Sequence, residues 1–245
     1  MRALSLVIIL FSSLNLAAQI NQQKSLAELR NDLSKIDLAI ETTRAKMSEI
    51  KDARFLPDLY FMLAELHVDK SKYMIAVKQL SNKDVALDEL DFTIEKKPKL
   101  QAIDIYNTIL ERFPKLEGRD RALFFIAHEY RELGQLEDMI KTYQQLTSKF
   151  PTSPYWSEAM LVIGDYFFEN KKDFEMASEM YKRILNRPPN PYTPLARYKL
   201  GWTYLNEEKF KLALKSFEEV LTKDAKIEQN SLNESYRKTD VKNEA

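Results

Sequence analysis

The stretch Leu123–Pro151, LFFIAHEYRELGQLEDMIKTYQQLTSKFP, recurs twice further along the chain. It returns as MLVIGDYFFENKKDFEMASEMYKRILNRPP from Met160 and as RYKLGWTYLNEEKFKLALKSFEEVLTKD from Arg197. The small residues Ala127, Gly164 and Gly201 are 37 apart at each step, and so are the aromatics Tyr130, Phe167 and Tyr204. Further on, Met139, Ala177 and Ala213, like the rings Tyr143, Tyr181 and Phe217, are spaced by 38 and then by 36. One extra loop residue near Lys171 or Lys172 accounts for the difference. A repeat of this length is a helical hairpin that buries its core only by stacking on its neighbours. Stacked hairpins form extended binding surfaces rather than enclosed catalytic pockets.

Working upstream, FLPDLYFMLAELHVDKSKY reads as the first helix of another repeat, with Ala64 at the small position. Its second helix is displaced. Ala102, Tyr106 and Pro114 each precede Met139, Tyr143 and Pro151 by 37, which puts that helix at LQAIDIYNTILERFP. Ala64 to Ala127 is 63 residues against a repeat of 37, so this first repeat carries an insertion of 26. The insert, roughly residues 72–97, holds Tyr73, Ile75, Ala76, Val77, Leu80, Val85, Leu87 and Leu90, and is expected to be a helical excursion broken near Ser81 and Asn82. Before it, Leu26, Leu29, Leu33, Ile36, Ile40, Thr43, Met47 and Ile50 step by alternating threes and fours, a heptad seam with one polar position. Without Gly or Pro, that segment predicts an unbroken helix of about 25 residues.

Helices must come within about 8–10 Å where a hairpin crosses, which demands small side chains there. Ala64, Ala127, Gly164 and Gly201 serve one side of the crossing; Ala102, Met139, Ala177 and Ala213 serve the other, with Met139 the looser fit. The large rings fill the space between neighbours as core. Ser153–Pro154 and Thr193–Pro194 read as N-caps followed by first-turn prolines. Pro57 can sit in the first turn of its helix, and the Pro188–Pro191 run must connect hairpins.

Residues 56–224 therefore resemble tetratricopeptide repeat proteins. The expected fold is all-α, a helical-hairpin solenoid of that type preceded by a coiled-coil-like helix. The expected organisation is a signal peptide at 1–18, the heptad helix at 19–52 and the split first repeat at 56–114. Repeats follow at 117–151, 153–188 and 192–224, with a polar tail at 225–245. The order of signal, coiled coil and repeats, together with FPTSPYWSEAMLVIGDYFF, resembles the Tol–Pal-associated coiled-coil proteins of bacterial envelopes. RFLPDLYFMLAELHVDKSKY and HEYRELGQ resemble exported repeat proteins associated with gliding motility. Both resemblances imply a scaffold of an envelope machine rather than a reaction.

MRALSLVIILFSSLNLAAQ pairs Arg2 with an apolar run through Phe11 and small residues at Ala17 and Ala18, the pattern of a secretory signal peptide. Cleavage near Ala18 would leave an exported chain with no stable membrane insertion, periplasmic in a bacterium. The chain has 37 basic and 37 acidic residues, without the basic excess of a nucleic-acid binder. It has no cysteine, which excludes disulfides, thiolate metal sites and cysteine nucleophiles. His67 and His128 stand apart from further ligands in sequence, and no phosphate-cradling or nucleophile motif is present. No enzyme activity, cofactor or metal is expected.

The tetratricopeptide resemblance implies a concave groove lined by the first helix of each hairpin. That stripe falls on Phe124, His128 and Arg131, then Leu161, Asp165 and Phe168, then Tyr198, Trp202 and Leu205, each trio at i, i+4, i+7. Such a groove suits an extended or helical segment of another envelope protein, with rings as anchors. The same residues could instead pack against adjacent first helices. The rival function is an accessory of a peptidoglycan-acting enzyme or a glycan-binding envelope protein. Homo-oligomer formation is left open: a parallel pairing of the heptad helix would oppose Asp32 with Asp37 and Lys46 with Lys51, like charges in both cases.

Overall fold

The structure, a computed structural model, describes residues 24–50 and 54–224. The expected signal peptide and the tail from residue 225 lie outside the described residues. Nine α-helices occur among the described residues, without strands. They are α1 (Leu26–Glu49), α2 (Leu56–Ser81), α3 (Thr93–Arg112), α4 (Arg119–Glu132) and α5 (Leu136–Lys149). After these come α6 (Trp156–Tyr166), α7 (Phe174–Leu185), α8 (Thr193–Asn206) and α9 (Phe210–Glu219). The fold is all-α, built of hairpins of the tetratricopeptide kind. Two compact units, residues 1–142 and 143–245, divide the chain within α5.

In the first unit, α1 begins at a capping box. The Ser25 hydroxyl accepts from the Glu28 N–H, and the Glu28 carboxylate accepts from the Ser25 N–H at 2.7 Å. The helix then runs antiparallel to α2. Lys24 donates to the Tyr73 hydroxyl, Lys70 pairs with Asp37 at 2.6 Å, and Arg44 lies 3.2 Å from His67. Rising numbers on one helix thus meet falling numbers on the other. Leu29 is fully buried against Ile75 and Ala76, with Tyr73, Val77 and Leu80 around them. The heptad seam accordingly finds its apolar partner within its own chain.

Pro57 lies in the first turn of α2, where its missing N–H costs nothing. The 26 residues of that helix run on through Lys72 and stop at Ser81, where Asn82 turns the chain. A short 3-10 turn at Leu87–Glu89 precedes α3. Residues of the insertion thus lengthen α2 at its end and α3 at its start. The two helices meet on Ala64 and Ala102, both fully buried, and Phe61, Val68, Ile103, Tyr106, Ile109 and Ile126 close around them. A large side chain buried in this way contributes about 1.5–3 kcal/mol.

In the second unit the small positions are occupied as the spacing requires. A Cβ placed on Gly164 would lie 2.6 Å from the Tyr181 ring, and one on Gly201 2.6 Å from the Phe217 ring. The extra residue of the third hairpin also has a structural form. The hairpin turns close with Gln135 N–H donating to Tyr130 C=O and Lys209 N–H to Tyr204 C=O, whereas Asp173 N–H reaches back one residue further, to Phe167 C=O. A π-helical turn at Phe167–Lys171 takes up the additional residue. It moves the left-handed position to Lys172 (φ 55°), where the other turns use Gly134 (φ 76°) and Glu208 (φ 59°).

The N-cap expectation at Ser153 and Thr193 is corrected. The caps are Tyr155 and Tyr192, without side-chain cap bonds. The Ser153 hydroxyl accepts from Tyr155 N–H and that of Thr193 from Asn190 N–H, so both organise the turn before the helix.

Candidate functional site

The expected stripe lies on α4 in the first unit, and on α6, the π turn and α8 in the second. On α4, Phe124 is buried and its ring lies tilted against that of Phe125, with centroids 5.9 Å apart. His128 and Arg131 are half-buried. On α6, Leu161 is buried in the core. Asp165 is held from two sides: the Tyr181 hydroxyl donates to it at 2.7 Å and Lys199 pairs with it at 2.9 Å. Burial, reinforced by Asp165, pushes the Tyr181 phenol far above its ordinary range, so the hydroxyl stays a neutral donor. Phe168 is half-buried, its ring edge-on to Phe174 at 5.3 Å.

On α8 the stripe comes to the surface. Tyr198 is 44% exposed and Trp202 43% exposed, with Leu205 beside them. The two rings meet edge-on at 6.2 Å, and both rest on Phe217, at 5.9 and 5.7 Å. Phe217 in turn fills the space left by Gly201. The missing Cβ therefore lets α9 approach α8 closely enough to set a platform under the two exposed rings. Rings fixed from behind and open in front lose little freedom on contact, which is what interface anchors require. Tyr198, Trp202 and Leu205 are thus gathered in one place, whereas Phe124 and Leu161 serve the core.

Sequence reasoning missed one polar feature of the first unit. Lys99 on α3 and Glu129 on α4 form an ion pair at 2.8 Å with both side chains buried. Burial pushes the Glu129 carboxyl up, but His128 and Lys99 more than offset this and hold it below the ordinary carboxylate range. The available signal was positional. Lys99 stands one helical turn before Ala102 and Glu129 one turn after Ile126, so both charges share the core face. A charge there needs a partner. Among the described residues no group of three or more His, Cys, Asp and Glu could hold a metal ion. Nor, among them, is any helix long and apolar enough to cross a membrane.

Family models for the tetratricopeptide repeat match residues 130–153 and 195–226. The chain therefore carries tetratricopeptide repeats. Among solved structures, it is similar to two of a Podosopora anserina protein described as a kinesin light chain with nearly identical TPR-like repeats. One, a variant, gives a TM-score of 0.52 at 12% identity and covers 90% of this chain and 96% of that one. The other gives 0.51 at 13% identity, covering 93% and 99%. At these identities the likeness is one of fold. No curated protein matches the chain in sequence.

Proposed function

We propose that this chain is an exported, non-enzymatic scaffold that holds other proteins together in the cell envelope. Tetratricopeptide repeats suggest protein–protein interaction, and the observation that carries the reading here is the exposed pair Tyr198 and Trp202 on its Phe217 platform. The partner is an extended or helical segment of another envelope protein, with the two rings as anchors and Asp165 and Lys199 beside them setting its register. The periplasmic assignment rests on the leader pattern of residues 1–18, and the envelope role on the resemblance to the gliding-motility and Tol–Pal-associated proteins.

Affinity recovery from a crosslinked envelope tests the binding reading. The wild-type chain is expected to retain specific proteins that Trp202→Ala releases, at unchanged helix content. Equal retention by both forms would overturn the assignment of the anchor. N-terminal sequencing tests export: the mature chain is expected to begin near Gln19 in the soluble periplasmic fraction. An intact Met1 on membrane-bound protein would overturn that part alone.

A further inference from the structure

Among the described residues, the outer row of the fourth hairpin is apolar and open. In the third hairpin the matching row of α7 is covered: α8 packs along that helix, and Ser178 is 3% exposed. One repeat on, Leu214 takes the place of Ser178, with Phe210 at the place of Phe174 and Leu221 at that of Leu185. Leu214 is 60% exposed and Leu221 77%, and Phe210 is as open. The α9 helix and the π turn after it, Val220–Asp224, present leucine and phenylalanine on this row. In the first unit, by contrast, the long helix of the first hairpin is covered by α1.

The row has the stepping of a helix-pairing seam. Phe210, Leu214, Phe217 and Leu221 are separated by four, three and four residues. Beside it lie Lys211 and Glu218, both exposed and neither in an ion pair among the described residues. We propose that this row pairs with the same row of a second copy of the chain, with the two α9 helices antiparallel about a two-fold axis. In that arrangement Leu214 of each copy faces Phe217 of the other, and Phe210 faces Leu221. Lys211 and Glu218 lie on one side of the row, so the two-fold axis sets Lys211 of one copy beside Glu218 of the other, twice. Parallel pairing would leave both charges opposite the flank of Ala213 and Val220, without a counter-charge. The charges therefore select a second copy in the antiparallel sense, and a patch used by both copies closes the assembly at a dimer. The row is short, and interfaces under about 1,200 Å² belong to weak, transient pairs. The dimer is expected at roughly tens to hundreds of micromolar.

This inference goes beyond partner capture by Tyr198 and Trp202 and does not depend on it. Sedimentation equilibrium of the full mature chain over that concentration range is the test. A monomer–dimer equilibrium is expected, abolished by Leu214→Glu. Lys211→Glu and Glu218→Lys should each weaken the dimer about tenfold, because each turns two attractions into repulsions. The double exchange should restore it. All three substitutions are at exposed positions, and circular dichroism would establish that each variant is folded. A strictly monomeric chain, a dimer indifferent to Leu214→Glu, or a double exchange that fails to restore pairing would each overturn the proposal. The last result would point to another protein's helix, or to a different registry, on the row. Loss of the dimer with unchanged Trp202-dependent recovery leaves the scaffold reading standing.

Discussion

The Tyr181 ring lies over Gly164 so closely that a Cβ on the glycine would come 2.6 Å from Cε1 of the ring. The ring has nowhere to go. It is almost wholly buried, and its hydroxyl is fixed to Asp165. Gly201 sits under Phe217 at the same distance, but that ring is half-buried and bears no hydrogen bond.

The two glycines should therefore respond differently to alanine. Gly→Ala in a helix gains about 1 kcal/mol from propensity, and overpacking a rigid site costs about 1–3 kcal/mol. Gly164→Ala is expected to destabilise the second unit by up to about 2 kcal/mol. Gly201→Ala should be near neutral, because Phe217 can tilt outward. Urea unfolding followed by circular dichroism measures both; equal losses would show that Phe217 is as fixed as Tyr181.

The Lys99–Glu129 pair should behave as a buried ion pair. Removing one partner strands the other charge, at a cost of about 3–5 kcal/mol. Lys99→Met and Glu129→Leu are each expected to destabilise strongly, and the double variant less than the sum of the two. Glu129 is held below its ordinary range in the folded chain. Its contribution is therefore present above the unfolded value of about 4.5 and is lost as pH falls through the lower folded value. Strict additivity in the double-mutant cycle would mean that the two charges do not depend on each other.

His67 has the opposite linkage. Burial, with the nearby positive charges of Arg44 and Lys70, lowers it from 6.5 to about 4, while Asp37 opposes that trend. The folded chain holds the ring neutral, and the unfolded chain takes up the proton first. Stability from this residue is whole above pH 6.5 and is lost as pH falls toward 4. Between pH 7.5 and 5 the loss should be about 2 kcal/mol. Denaturant titrations at the two values check it: His67→Gln should remove that part of the slope, and an unchanged slope would place the proton elsewhere.

The fold was legible in the sequence because stacking repeats its demands. A small residue under a ring recurs at 164 and 181 and again at 201 and 217. Even the single-residue slip between the spacings had a physical body, the π turn at Phe167–Lys171. Cap positions were less legible. Ser153 and Thr193 have the right chemistry, but the turns before their helices use those hydroxyls first. Periodicity alone could not say which of the stripe residues meet solvent. Phe124 and Tyr198 occupy the same register position, yet one is buried and the other open. Spacing gives a residue's register, but burial depends on what packs around it, which spacing does not encode. Lys99 and Glu129 escaped notice because charged residues on helices usually face water.

Alanine at two stripe positions should separate anchoring from packing. Phe168 is half-buried against Phe174, so Phe168→Ala is expected to lower stability by about 1–3 kcal/mol, short of the 3–5 kcal/mol of a fully buried ring. Trp202 is nearly half exposed, and Trp202→Ala should cost under about 1 kcal/mol, within the range of surface changes. Thermal melts of the two variants compare them. Equal losses would mean that Trp202 is held as firmly in the fold as Phe168.

Site-specific photocrosslinking in intact cells addresses the scaffold claim most directly. A benzoylphenylalanine replaces Trp202 in one strain and the exposed Glu179 of α7 in another. The account predicts discrete heavier adducts with envelope proteins from position 202 and none of comparable yield from position 179. Adducts of equal yield from both positions, or none from 202, would contradict it.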